Sequence, residues 1–122
     1  MQAYEQLDAF RECDELALRT HRVLHQIEDL DPELAAQLWS AALIAASRIA
    51  RGTGMGNRRM FVACIDRTLG ALAEVGFHLK MARALDLVTE EIEQEIESQR
   101  GRAVFYSTKL LTDLMDGTEG AS

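Results

Sequence analysis

Arginine side chains flank the most glycine-rich stretch of the chain, and together they could bind an anion. The stretch runs from Gly52 to Gly56 as Gly-Thr-Gly-Met-Gly. Guanidinium groups bind phosphate and carboxylate groups, while glycine backbone and the free amides at a helix start also attract anions. Five arginines lie close to the stretch: Arg48, Arg51, Arg58, Arg59 and Arg67. The candidate anion- or RNA-binding residues are Arg48, Arg51, Arg58, Arg59, Gly52, Gly54 and Gly56.

A second interpretation of these arginines is structural. Exposed arginines usually pair with carboxylates or stay solvated. They could therefore pair with the acidic first and last parts of the chain, within a subunit or across an interface. A nucleotide-binding P-loop is not indicated, because the spacing G-x-G-x-G lacks the Gly-Lys-Ser/Thr ending that contacts phosphates and Mg²⁺.

Charge is distributed in three blocks along the 122 residues. Residues 1–39 hold nine acids and three bases, residues 40–88 hold three acids and seven bases, and residues 89–122 hold eight acids and three bases. The net charge of −7 argues against a protein that coats nucleic acid with its whole surface. The basic middle block nevertheless contains the glycine-rich stretch, so a local RNA contact stays open.

Histidine and cysteine positions give only a weak indication of metal or nucleophile chemistry. His21, His25 and Glu28 follow at steps of four and three residues, which places them on one face of a helix. The chain has no Glu-x-x-His motif of the di-iron bundles, so we expect no metal and no cofactor. Cys13 and Cys64 lie outside any Cys-x-x-Cys spacing and fall near apolar stripes, which predicts buried thiols in a reducing compartment.

Apolar residues recur at three- and four-residue steps through four segments, which predicts four helices. The first helix is expected over about residues 3–29. Asp31-Pro32-Glu33 then marks the start of the second helix, because Asp accepts from free amides, Pro suits the first position and Glu faces the positive end of the dipole. Gly52 is expected just after the end of the second helix. Asn57 and Thr89 are expected to cap the third and fourth helices.

Helices of this length, joined by short connections, predict an all-α fold, an up-down-up-down antiparallel four-helix bundle. Residues 1–115 are expected to form this bundle, and residues 116–122 a flexible tail. One proline in the whole chain agrees with a helical protein.

Apolar side chains exceed what one bundle core needs. Phe77, Met81 and Leu85 form a second stripe beside the seam of the third helix, and Trp39 follows the core residue Leu38. Surplus apolar surface at helical spacing is typical of a subunit interface or a partner groove. We therefore expect Trp39, Phe77, Met81 and Leu85 to form the interface of a homo-oligomer.

His78 follows Glu74 by four residues, a spacing typical of a helix-surface pair.

Residues 47–61, SRIARGTGMGNRRMF, followed by Leu72-Ala73-Glu74-Val75, resemble a family signature. The family is the four-helix-bundle proteins encoded in intervening sequences of bacterial 23S rRNA genes, whose signature runs approximately SNIAEGYGRGSRKEF and then SLAELETQL. The opening of the chain is also similar to the family pattern, at Tyr4, Leu7, Phe10, Glu15 and Leu16. The chain resembles a divergent member, since Arg48, Arg51 and Met55 stand where the family has Asn, Glu and Arg.

The resemblance implies an antiparallel four-helix bundle that commonly assembles as a ring-shaped pentamer. The family includes the accessory variability proteins of diversity-generating retroelements, which bind a reverse transcriptase and its RNA. We therefore expect a non-enzymatic, homo-oligomeric scaffold or interaction protein. The alternative is an accessory subunit that contacts RNA or a nucleic-acid-processing protein through the glycine and arginine segment.

The expected location in the cell rests on the lack of a membrane span and of a secretory signal in this sequence. No apolar run approaches the roughly 18 residues of a membrane span. The first residues, MQAYEQLDAF, show neither the basic segment nor the apolar run of a secretory signal. We expect a cytoplasmic protein with no membrane partner.

Overall fold

Four α-helices make up most of the part of the chain that the computed structural model describes, residues 3–117. The helices are α1 (Asp8–Glu28), α2 (Pro32–Thr53), α3 (Arg58–Ala84) and α4 (Glu90–Met115), and a short 3-10 helix, Ala3–Gln6, precedes them. Each helix packs against the next one along the chain, and α4 closes the arrangement by packing against α1. The short connections make consecutive helices antiparallel. The predicted all-α four-helix bundle is confirmed.

The three predicted helix caps are confirmed, because each capping side chain accepts a hydrogen bond from a backbone amide three residues ahead. Asp31 Oδ1 accepts from the amide of residue 34 at 3.0 Å, with Pro32 in the first turn. Asn57 Oδ1 accepts from residue 60 at 3.1 Å, and Thr89 Oγ1 accepts from residue 92 at 3.2 Å. These contacts depend only on neighbouring residues, which is why the sequence predicts them.

Two helix boundaries differ from the predicted ones. The first α-helix begins at Asp8 rather than near residue 3, because Leu7 has an extended backbone (φ −83°, ψ 130°) that separates it from the 3-10 helix. Gly52 lies inside α2 instead of after its end, and Gly54 occupies the C-cap. Leu30, which directly follows the predicted first helix, lies in the α1–α2 turn and is 74% exposed.

The core contains the predicted apolar stripes and a few buried polar side chains. Buried residues of the four stripes include Leu16 on α1, Leu38 on α2, Leu72 on α3 and Ile96 on α4. The buried polar side chains are Thr20, Thr68, Gln99 and Ser107. Hydrogen bonds between helices pair most of them, which limits the desolvation penalty of burying them.

The predicted tail falls mostly outside the part of the chain that can be described. α4 ends at Met115, and residues 118–122 lie outside the described residues. Within residues 3–117, no helix is both long enough and apolar enough to cross a bilayer.

Candidate functional site

A groove between α2 and α3 brings three arginines together near the glycine-rich turn. We call it the arginine groove; it has a volume of about 240 Å³, and its lining residues are Arg48, Arg51, Met55, Met60, Ala63, Cys64 and Arg67. Arg48 and Arg51 come from the last turns of α2, and Arg67 comes from the third turn of α3. Three cationic side chains therefore line one small concavity.

Local packing at the turn brings the two helices close at this end of the bundle. The ring of Phe61 lies against the α2 backbone at Gly52, where an added Cβ would stand 2.5 Å from the ring atom Cδ1. Gly56 has a φ of +66°, a backbone conformation that residues other than glycine adopt only with strain. Two of the three glycines are therefore explained by the turn itself: Gly52 allows the close approach of α3, and Gly56 allows the chain to reverse.

None of the five arginines around the turn forms an ion pair with an acid among residues 3–117. Arg48 is half-buried, and its Nε atom is shielded from solvent without a hydrogen-bond acceptor. The bases that do form ion pairs lie elsewhere on the bundle: Arg11, Arg19, Arg83, Arg100 and Arg102. The positive charge of the arginine groove is therefore not paired by any acid of residues 3–117. Pairing of these arginines with acids across a subunit interface stays a prediction.

The structure divides the predicted arginine cluster. Arg58 lines a different cavity, about 450 Å³ in volume, at the end of the bundle, together with Gly52 and Gly56. Arg59 and Gly54 are exposed and line neither cavity. The groove instead includes Arg67, a basic residue near the glycine-rich stretch that was not predicted to belong to the site.

The position of Arg67 could have been found from helical spacing. Met60, Ala63 and Arg67 follow at steps of three and four residues, so they share one face of α3. That face turns toward α2, because the side chain of His78, further along it, contacts Gln37 on α2 at 3.2 Å. Whether a residue belongs to the groove is therefore predicted better by its position around the helix axis than by its distance in sequence from the glycine-rich turn.

The predicted interface residues do not form one surface. Phe77 is 58% exposed and Leu85 is 52% exposed, while Met81 between them is half-buried against the core. Trp39 is half-buried on another side of the bundle, where its ring centroid lies 4.9 Å from that of His21 on α1. The apolar stripe of α3 is therefore available for contact, and Trp39 belongs to a separate region.

Large exposed apolar side chains also occur where the sequence predicts no interface. Phe105 on α4 is 63% exposed, and Leu18, Leu43 and Ile44 are exposed on α1 and α2. Phe105 stands two residues after the buried Ala103 and directly before the half-buried Tyr106. Successive helical residues are separated by about 100°, which turns Phe105 to the outside.

The histidine side chains and Cys13 are not among the lining residues of the arginine groove, whereas the buried Cys64 is one of them. His21 and His25 are exposed, and no three potential metal ligands come together within residues 3–117. His78 contacts Gln37 rather than Glu74, so the predicted surface pair is wrong. Burial raises the pKa of the Cys13 thiol to about 12, which keeps it protonated at neutral pH.

Comparison with known proteins identifies a shared fold. No protein-family model matches the chain, and no curated protein is recognisably similar to it in sequence. The structure is similar to that of a Bacteroides thetaiotaomicron protein of unknown function from the S23 ribosomal protein family, with a TM-score of 0.78 and 13% sequence identity. The match covers 84% of this chain and 97% of the other. This bundle therefore has the fold of a protein of the S23 ribosomal protein family.

Proposed function

We propose that this protein is a non-enzymatic four-helix-bundle scaffold that assembles with copies of itself, as a pentamer if it follows the family that its sequence resembles. This proposal rests on the exposure of two apolar side chains, Phe77 on α3 and Leu85 at the C-cap of α3. Both side chains lie outside the core of the subunit, and contact with a second protein surface would remove them from water. The fold shared with the S23 ribosomal protein family neighbour agrees with this proposal.

The chemistry of the arginine groove supports binding rather than catalysis. Its described lining residues include no histidine, carboxylate or hydroxyl group, and its one thiol, that of Cys64, belongs to a buried residue. Such groups transfer protons in most enzymes. Arginine at neutral pH is always protonated, so the three arginines can hold an anion but cannot act as general bases.

Light scattering tests the self-assembly. The wild-type protein should have a mass several times its 13.6 kDa chain mass at micromolar concentration. The double variant Phe77→Ser, Leu85→Ser should shift the protein toward the monomer without unfolding it, because both side chains lie outside the core. Leu30→Ser is the matched control, since Leu30 is equally apolar and more exposed but lies in the α1–α2 turn. A monomeric wild-type protein would contradict the proposal.

A second candidate function is contact with RNA, and the unpaired arginines favour it. Arg48, Arg51 and Arg67 line one groove and form no ion pair within the described residues. A phosphodiester backbone presents repeated anionic oxygens that such a groove could bind. In a ring of subunits, several grooves could follow one RNA strand.

Fluorescence anisotropy with a labelled single-stranded RNA tests this candidate. The affinity should fall as the salt concentration rises. The triple variant Arg48→Ala, Arg51→Ala, Arg67→Ala should flatten the slope of log affinity against log salt by about 0.7 for each phosphate that is no longer bound, the value typical of single strands. Arg22→Ala is the control, because Arg22 is an exposed arginine outside the groove. Unchanged binding by the triple variant, or no binding by the wild-type protein at low salt, would remove RNA as the partner of the groove.

A further inference from the structure

The outward side of α4 has a hollow that is separate from the α3 stripe and from the arginine groove. It has a volume of about 500 Å³, and its lining residues are Gly101, Val104, Phe105, Thr108 and Lys109. Phe105, the most exposed aromatic side chain of the described residues, forms one wall. Only one lining residue is charged, so the hollow suits an apolar occupant.

Gly101 has no structural role that packing within the subunit explains. It lies in the middle of α4, where glycine weakens a helix relative to alanine. A Cβ added at Gly101 would meet no atom within 4 Å, whereas one added at Gly52 would collide with Phe61. The space above Gly101 is therefore open to a group from outside the subunit.

We propose that α4 pairs with α4 of a second copy in an antiparallel, two-fold symmetric contact, with Phe105 of each copy packed over Gly101 of the other. This inference rests on the proposed self-association and adds a second contact to it. A two-fold contact cannot join neighbours around a five-membered ring, so in a pentamer it would pair copies from two different rings. Gly101 and Phe105 are four residues apart and share one face of the helix. If two antiparallel helices cross midway between these residues, each ring lies opposite the glycine of the other copy. Two-fold symmetry then forms both contacts at once.

The charges along α4 indicate the same helix as the occupant, in the antiparallel orientation. Residues 90–97 hold five acids and no base, and residues 98–109 hold three bases and no acid. The antiparallel pairing places Lys109 level with Glu97 of the second copy, since both lie six residues from residue 103 at the crossing point. Glu97 pairs with Arg100 in its own subunit, but its side chain stays 46% exposed. A parallel pairing would instead place Lys109 beside Lys109 of the second copy.

Two glycine variants test the contact, with dissociation constants measured by sedimentation equilibrium. At a protein concentration where the wild-type chain is monomeric, Gly101→Ala and Gly70→Ala should both raise the Tm, because each replaces an exposed glycine in a helix with open space above it. Only Gly101→Ala should weaken self-association, by about tenfold or more, as expected for a residue at the centre of an interface. Phe105→Ser should weaken it at least as much, and equal dissociation constants for Gly101→Ala and Gly70→Ala would overturn the inference.

The orientation is tested with Lys109→Gln. Loss of the charge should weaken an antiparallel pair, because Glu97 of the second copy loses the attraction of Lys109 and keeps only Arg100 of its own subunit. A tighter complex would indicate a parallel pair and overturn the proposed contact. If Phe105→Ser keeps the wild-type mass while Phe77→Ser, Leu85→Ser lowers it, self-association stands and the α4 contact is wrong. A monomeric wild-type protein would overturn both the proposed self-association and the α4 contact.

Discussion

At the scale of single residues, two threonines in the core have opposite hydrogen-bonding states. Both Thr20 and Thr68 are fully buried. Thr68 Oγ1 donates to the carbonyl oxygen of Ala45 on α2 at 2.8 Å. Thr20 Oγ1 has no partner among the described residues. A buried hydroxyl without a partner loses its bonds to water and gains none in return.

Replacing each threonine by valine should therefore change stability in opposite directions. Thr20→Val should raise the free energy of unfolding by about 1 kcal/mol, because the shape is kept and the unpaired hydroxyl is removed. Thr68→Val should lower it by about 1 kcal/mol, because the hydrogen bond to Ala45 is removed. Urea unfolding at a fixed protein concentration measures both, and an equal loss of stability in the two variants would contradict the assignment of Thr20 as unpaired.

Glu12 on α1 is a carboxylate held by two side chains of α4. Arg102 on α4 donates to both of its carboxylate oxygens, at 3.1 and 3.3 Å, and Gln99 Nε2 donates to Oε1 at 2.8 Å. The hydrogen bond from Arg102 is the main reason that the pKa of Glu12 lies below its ordinary value of 4.5. Because folding lowers this pKa, ionised Glu12 stabilises the folded protein above pH 4.5, and this contribution is lost as the pH falls through the folded-state value.

The acid stability of the bundle should consequently depend on Glu12. When the pH is lowered from about 6 to about 3.5, the free energy of unfolding should fall less for Glu12→Gln than for the wild-type protein. The difference should be at most about 1 kcal/mol, because Arg102 is largely exposed and solvent screens its interaction with Glu12. Chemical unfolding at the two pH values measures the difference. Glu15→Gln is the control, as Glu15 pairs with Arg19 on the same helix. An identical acid loss in Glu12→Gln and the wild-type protein would count against this role.

At the scale of elements, the α2–α3 turn determines how the arginine groove is built. Gly52 lies inside α2, and the ring of Phe61 from the first turn of α3 packs over it. This contact brings the start of α3 close to the end of α2. It also places Cys64 near Gly52, with a distance of 3.1 Å from its Cβ to a Cβ added there.

Alanine at Gly52 should disturb this packing. Gly52→Ala should lower the free energy of unfolding by about 1–3 kcal/mol, because the methyl group would displace Phe61 from its position. Gly70→Ala is the matched control and should raise stability by up to about 1 kcal/mol, since the space above it is open. Thermal unfolding followed by circular dichroism compares the two, and a stabilised Gly52→Ala would show that the turn does not require glycine.

At the scale of the whole molecule, two kinds of surface have no partner among residues 3–117 of the subunit. One is positively charged, in the arginine groove, although the chain carries a net charge of −7. The other is apolar and includes Phe77, Leu85 and Phe105. Apolar surface favours association by removing area from water, while unpaired arginines favour an anionic partner. Assembly and ligand binding can therefore use different sides of one bundle.

Assembly should couple to thermal stability. The Tm of the wild-type protein should rise by several degrees when its concentration is raised from about 1 to about 100 μM, because association stabilises only the folded chain. The variant Phe77→Ser, Leu85→Ser should show a weaker concentration dependence, whereas Leu30→Ser should behave as the wild type. Differential scanning fluorimetry over this range provides the measurement, and a Tm independent of concentration would argue against a stable oligomer.

The sequence by itself determined the four helices, their caps at Asp31, Asn57 and Thr89, and most of the core. These features depend on helical periodicity and on hydrogen bonds between residues three positions apart, so local patterns are sufficient to predict them. The boundaries at Leu7 and Gly52 were predicted less well, because a break in the first helix and a ring packed on a glycine depend on contacts beyond the local pattern.

Only the tertiary structure decided which side chains share a surface. The sequence grouped Arg58 and Arg59 with Arg48 and Arg51 by proximity, yet the groove takes Arg67 and excludes that pair. The rotation of α3 about its axis decides this, and packing against α2 sets that rotation. The same reason applies to Phe105, because the direction in which a helical side chain points is known only when the neighbouring helices are in place.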